Sequence, residues 1–133
     1  MRRLIWCVGA ILSMAIAGGW LSNAITRENC EERVARWLYD ASGQPELLYG
    51  NSDERLQRAC AAAGITCVPV VGNSYDEDRY PFISLRASSS IPYLIRVHYR
   101  WERGPEVGGE GEYRFVCLFG RVYDLGPIET TAL

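Results

Sequence analysis

Lysine is absent from this chain of 133 residues, and all 14 of its basic residues are arginine. That removes a phosphate loop of the G-x-x-x-x-G-K-[ST] type. Gly108-Gly109-Glu110-Gly111 does not replace it, because no strand-to-helix pattern surrounds those glycines. Histidine occurs once, at His98, too few for the usual zinc ligand sets, and no C-x-x-C, C-x-x-C-H or H-E-x-x-H spacing is found. Ser88-Ser89-Ser90 lacks the G-x-S-x-G setting of a nucleophile elbow. Asp76-Glu77-Asp78 lacks the spaced ligands and central glycine of a calcium loop and reads as a solvated acidic turn. No cofactor or metal is expected on these grounds.

What the chain does have is an uncharged apolar run from Leu4 to Leu21, with Arg2 and Arg3 directly before it. At about 1.5 Å rise per residue, a helix of this length is at the lower limit for crossing a bilayer. Arginines before the run favour the cytoplasmic side and send the remainder outward. Two readings compete. In the favoured one, residues 1–24 are a retained signal anchor, with Arg2, Arg3 and Trp20 at the membrane interfaces. In the other, a cleaved signal ends at Ala15-Ile16-Ala17 or Ser22-Asn23-Ala24. Both place residues 25–133 outside the cytoplasm as one small domain. Without Arg2 and Arg3, 12 arginines face 16 acidic residues, a net charge of −4 that argues against nucleic acid as a partner.

Of five cysteines, Cys7 lies in the apolar run, and Cys30, Cys60, Cys67 and Cys117 lie beyond it. An even number in an exported domain points to two disulfides. The expected pairing is 30–60 and 67–117, taking the helices as an antiparallel pair; Cys60–Cys67 across a tight helix-to-strand turn is the rival.

The pattern predicts an α+β fold: the membrane helix, then two helices packed on a small antiparallel sheet that ends in a hairpin. The first helix starts near Asn29, where Asn29 and Glu32 have capping-box spacing, carries the stripe Cys30, Val34, Trp37, Leu38 and Ala41, and runs straight out of the membrane helix if the anchor is retained. The second runs from about Asp53 to Ala63, with Ser52 as cap and Gly64 as terminator. Ile65–Val71 reads as an edge strand because of Pro69. Phe82–Arg86 reads as a short strand before a turn at Ala87–Ser90. Tyr93, Ile95, Val97, Tyr99 and Trp101 alternate with polar residues, and Tyr113, Phe115, Cys117 and Phe119 do so again after a glycine-rich turn. Pairing the aromatic rows sets Trp101 near Tyr113. After Leu125 no element is evident.

His98 carries any imidazole chemistry the chain has, and a small hydrolase using it is the third functional reading. Glu110 and Glu112 are the obvious carboxylate pair, expected to be solvated. Arg96, His98 and Arg100, joined by Arg114 across the hairpin, make the one concentrated basic row; the favoured reading is a solvated sheet face neutralised by Glu102 and Glu112, and the other is a contact for an anionic partner or lipid headgroups. Missing catalytic motifs and the anchor together favour a non-catalytic accessory subunit, with the bilayer and other membrane-complex subunits as partners. The alternative from a different class is a secreted, disulfide-stabilised ligand- or inhibitor-binding module freed by signal cleavage.

Overall fold

The computed structural model describes residues 1–71, 79–104 and 106–132; the acidic triplet Asp76-Glu77-Asp78 lies outside them. The elements in order are α1 (Arg2–Ala41), β1 (Leu48–Asn51), α2 (Glu54–Ala63), β2 (Cys67–Val70), β3 (Phe82–Ile91), β4 (Leu94–Gly104), β5 (Val107–Leu118) and β6 (Arg121–Ala132). They build an α+β fold whose strands form one sheet in the order β2-β1-β3-β4-β5-β6.

The apolar run and the expected first domain helix are one uninterrupted helix of 40 residues, about 60 Å long at the standard rise. Asn29 is therefore inside a helix and caps nothing, and residues 24 and 25 are not a structural boundary. Capping-box spacing marks a helix start only where the preceding residues leave the helix, and Leu21 to Glu28 do not. No residue before Gly19 is buried; from there Gly19, Asn23, Cys30, Glu31, Val34, Ala35 and Leu38 follow at helical spacing. Of the expected stripe Cys30, Val34 and Leu38 are buried, Trp37 is half-buried and Ala41 is exposed.

The sheet is mixed, not a small antiparallel one. β1 pairs in parallel with β2 and with β3, and the remaining pairs are antiparallel. β1-α2-β2 is thus a βαβ unit, with β2 at the sheet edge as Pro69 requires. Gly50 makes its close packing possible, since a Cβ there would stand 2.6 Å from both Cys67 Sγ and Leu56 Cδ2. Asp53, one residue after the expected Ser52, caps α2 by accepting from the Arg55 N–H. Gly64 ends the helix in the left-handed conformation at φ 74°.

β3 runs straight through the serine triplet instead of turning at it. β4 and β5 form a hairpin, but Trp101 pairs with Gly109, and Tyr113 pairs with Val97. The glycine-rich stretch belongs to β5 and lies under the aromatic row: a Cβ at Gly109 would stand 3.1 Å from Trp101 Nε1, and one at Gly111 2.5 Å from the Tyr99 hydroxyl. The residues after Leu125 continue as β6, whose pairing with β5 shifts register at Glu110/Gly111 and at Arg114/Phe115. α1 packs on β3, β4 and β5, and α2 packs on β1 and β2. Between these layers Val34, Leu38, Leu48, Leu56, Ile83, Ile95, Val97 and Phe115 form the core.

Candidate membrane interface and partner surfaces

Residues 2 to 18 of α1 lie wholly on the surface. α1 is long and apolar enough to cross a membrane: its most apolar stretch of 18 residues has a mean hydropathy of 2.0 and is almost wholly exposed. It is the one such helix among the described residues. Arg2 and Arg3 stand exposed at its start, and Trp20, 43% exposed, stands near its end.

The seam between this helix and the folded domain is a stripe at every fourth residue. The Tyr93 hydroxyl, from the β3–β4 turn, donates to the Ala15 carbonyl at 2.7 Å. At Gly19 a Cβ would stand 2.6 Å from Pro92 Cβ and 2.8 Å from the Tyr93 ring, so only glycine admits the turn. Asn23 is fully buried, and its amide donates to the carbonyls of Ile91 (3.0 Å) and Leu94 (3.2 Å). One turn on, the Thr26 hydroxyl bonds the Ser22 carbonyl and lies 3.2 Å from Cys117 Sγ, while Arg27 donates to the Ser89 hydroxyl. Of the residues at the two candidate cleavage sites, Asn23 is buried in this seam and Ser22 half-buried, while Ala15, Ile16, Ala17 and Ala24 are exposed. The four-residue spacing of Ala15, Gly19 and Asn23 was the available cue to the seam.

Glu31 continues the same seam. It is 4% exposed and accepts from the backbone N–H of Ala87 in β3. Burial pushes its pKa up, opposed by the positive charges of Arg55 and Arg27. It lines a groove of about 420 Å³ between α1 and α2, with Arg27, Arg55 and Arg58 around it.

The four expected disulfide cysteines are free thiols in this structure. The fold brings them together as Cys30 with Cys117 and Cys60 with Cys67, not as 30–60 and 67–117. The expected pairing assumed that Cys30, near the start of the helix expected from Asn29, faces the end of α2; Cys30 faces the sheet instead. Burial, reinforced by the nearby Cys117, pushes the Cys30 pKa up to about 12. A hydrogen bond between Cys60 and Cys67 raises the pKa of Cys60 and lowers that of Cys67. The Gln57 amide, 3.7 Å from Cys67 Sγ, adds to the lowering.

The basic row lies on the sheet face away from the helices, with Arg114 opposite Arg96. It is interleaved with carboxylates: Arg100 reaches Glu102 at 2.6 Å, Arg114 reaches Glu112 at 2.9 Å, and His98 Nδ1 lies 3.7 Å from Glu112. Arg96 hydrogen-bonds the Ser90 hydroxyl. Glu112 thus serves two basic neighbours as part of an ion-paired sheet surface.

A second groove, about 910 Å³, separates the C-terminal half of α1 from β6. Its floor is aromatic: Trp37 stands edge-on to Tyr99 at 5.2 Å and to Tyr113 at 5.6 Å. Burial, and a 2.8 Å hydrogen bond to Asp124, push the Tyr113 pKa up to about 12. Beyond it, β6 is the outermost strand, with Tyr123, Leu125 and Ile128 exposed. Compared with protein-family models, curated proteins and solved structures, the chain matches none.

Proposed function

We propose that this protein is a single-pass membrane protein whose domain, held outside the cytoplasm, serves as a non-catalytic accessory subunit of a membrane assembly. The observation that carries this reading is that α1 is both the apolar helix and the central helix of the domain core. A domain built on its own anchor stands at a fixed height and angle to the bilayer, which is what holding neighbouring subunits requires. Residues 1–24 supply the anchor and residues 25–133 most of the domain, with Arg2 and Arg3 on the cytoplasmic side. Of the two released forms, the one cleaved after Ala24 is less favoured, because it would discard Gly19 and Asn23, which seat the β3–β4 turn; the one cleaved after Ala17 would lose only the Tyr93 bond to the Ala15 carbonyl.

The partner-facing side of this proposal is the β6 edge with the aromatic groove beside it. An outer strand with exposed apolar residues offers both backbone pairing and side-chain contact. His98, 3.7 Å from Glu112 on an open strand face, is assigned no catalytic part. The test is purification of the full chain from its native membrane in mild detergent. Stoichiometric co-purification of other membrane subunits, lost when charge is placed on β6 by Leu125→Glu, is the expected result. Recovery as a lone monomer contradicts the accessory role.

A further inference from the structure

Two hairpin turns on the same end of the sheet have the wrong residues for water. The β3–β4 turn is Pro92-Tyr93, with Tyr93 at φ 68°. Proline followed by a positive φ is a type II turn, whose second position favours glycine or asparagine. The β5–β6 turn is Phe119-Gly120, at φ 51° and 73°. Two positive values make a type I′ turn, where asparagine-glycine is the preferred pair. Each turn holds an aromatic side chain in the left-handed region, where a Cβ is disfavoured and where a polar residue would fit water better. Phe119 is fully exposed, and beside the turns Ile91 is 53% and Leu118 39% exposed.

Both turns also lie against one stretch of α1. Gly18, Ser22, Tyr93, Leu118, Phe119 and Gly120 line a shared cleft of about 280 Å³. The Tyr93 hydroxyl reaches the carbonyl of Ala15, six residues before the end of the apolar run at Leu21. Six residues of helix are about 9 Å. When α1 crosses a bilayer, this contact therefore carries the turns down into the layer of headgroups and first acyl carbons, beside Trp20. In that layer apolar and aromatic side chains gain by burial, and a tyrosine can keep its hydroxyl bonded.

We propose that the turns Ile91–Tyr93 and Leu118–Gly120 form, with Trp20, a lipid-contacting rim that seats the domain on the bilayer interface. The proposal rests on the anchor reading above and adds a second membrane contact made by the folded domain. The occupant is lipid, because the rim is continuous with the apolar face of the helix and faces the same way along it.

The test uses the full chain in phosphatidylcholine–phosphatidylglycerol vesicles with brominated acyl chains. Phe119→Trp adds an indole at the rim, and Val107→Trp adds one at the opposite end of the sheet, where Val107 is also exposed. The expected result is blue-shifted emission and strong bromine quenching of the indole in Phe119→Trp, and neither in Val107→Trp. Quenching that disappears on Trp6→Phe reports the span itself. A quenched Trp6 with equal, water-like emission from the two added indoles overturns the rim while leaving the anchor standing. No quenching at any of these positions overturns both. Amide hydrogen exchange of the unaltered protein in nanodiscs gives a readout without substitutions. Residues 119–121 should exchange several-fold more slowly than in the β4–β5 turn, and equal rates contradict the rim.

Discussion

Asn23 is the residue on which the joint between helix and sheet turns. Its amide satisfies two carbonyls at the end of the β3–β4 hairpin, and its surroundings leave no room for water. Asn23→Leu keeps the volume and removes both donors, so unfolding in detergent should become easier by about 2 kcal/mol. Chemical denaturation of the two proteins measures it. Gly19→Ala meets the Pro92 ring at 2.6 Å, and the displaced hairpin should cost about 1–3 kcal/mol in the same assay. Glu31 makes a prediction of opposite sense. Its folded pKa is raised, so its contribution is complete below the ordinary carboxyl value of about 4.3 and is lost as pH rises through the folded value. Compared with Glu31→Gln, the unaltered protein should lose stability as pH climbs from about 4 towards neutrality; a constant difference over that range contradicts the raised value. At this scale the sequence was legible where chemistry is local. Gly64 and the acidic cap of α2 could be read to within a residue, because capping depends on near neighbours. Asn23 could not, since its role depends on a hairpin far along the chain.

Among the elements, the paired thiols tie helices to strands. Cys30 and Cys117 link α1 to β5, and Cys60 and Cys67 link α2 to β2. In an oxidising compartment, non-reducing peptide mapping should find 30–117 and 60–67, each contributing about 2–4 kcal/mol by restricting the unfolded chain; 30–60 or 67–117 would contradict this register. In the reduced protein Cys67 is half-exposed with a lowered pKa, so it should be alkylated before the other three domain cysteines. The alternation of Tyr93 to Trp101 made β4 readable, because one face is buried and the other ion-paired. β1 was hidden by its four-residue length and by Gly50. β6 was hidden by Gly126 and Pro127 and by two register shifts, which break the alternation a strand would show. The hairpin register was missed for a related reason: glycines in β5 look like a turn until the aromatic rings lying over them are seen.

For the molecule as a whole, the sequence made the apolar run plain and left its continuation into the domain helix conditional on the anchor being retained. The polar residues after Leu21 end the hydrophobic signal without ending the helix, because burial against the sheet stabilises it from Gly19 onward. The consequence is that the apolar segment and the domain core share one helix. The basic row is matched by Glu102 and Glu112, the carboxylates expected to neutralise it, so the proposed partner contact is the β6 edge and the proposed lipid contact the hairpin turns. The account depends most directly on the anchor staying attached. N-terminal sequencing and intact mass of the protein extracted from its native membrane decide this: residues 1–24 are predicted to be present on the folded domain. A soluble mature form beginning at Gly18 or Ile25 would contradict it.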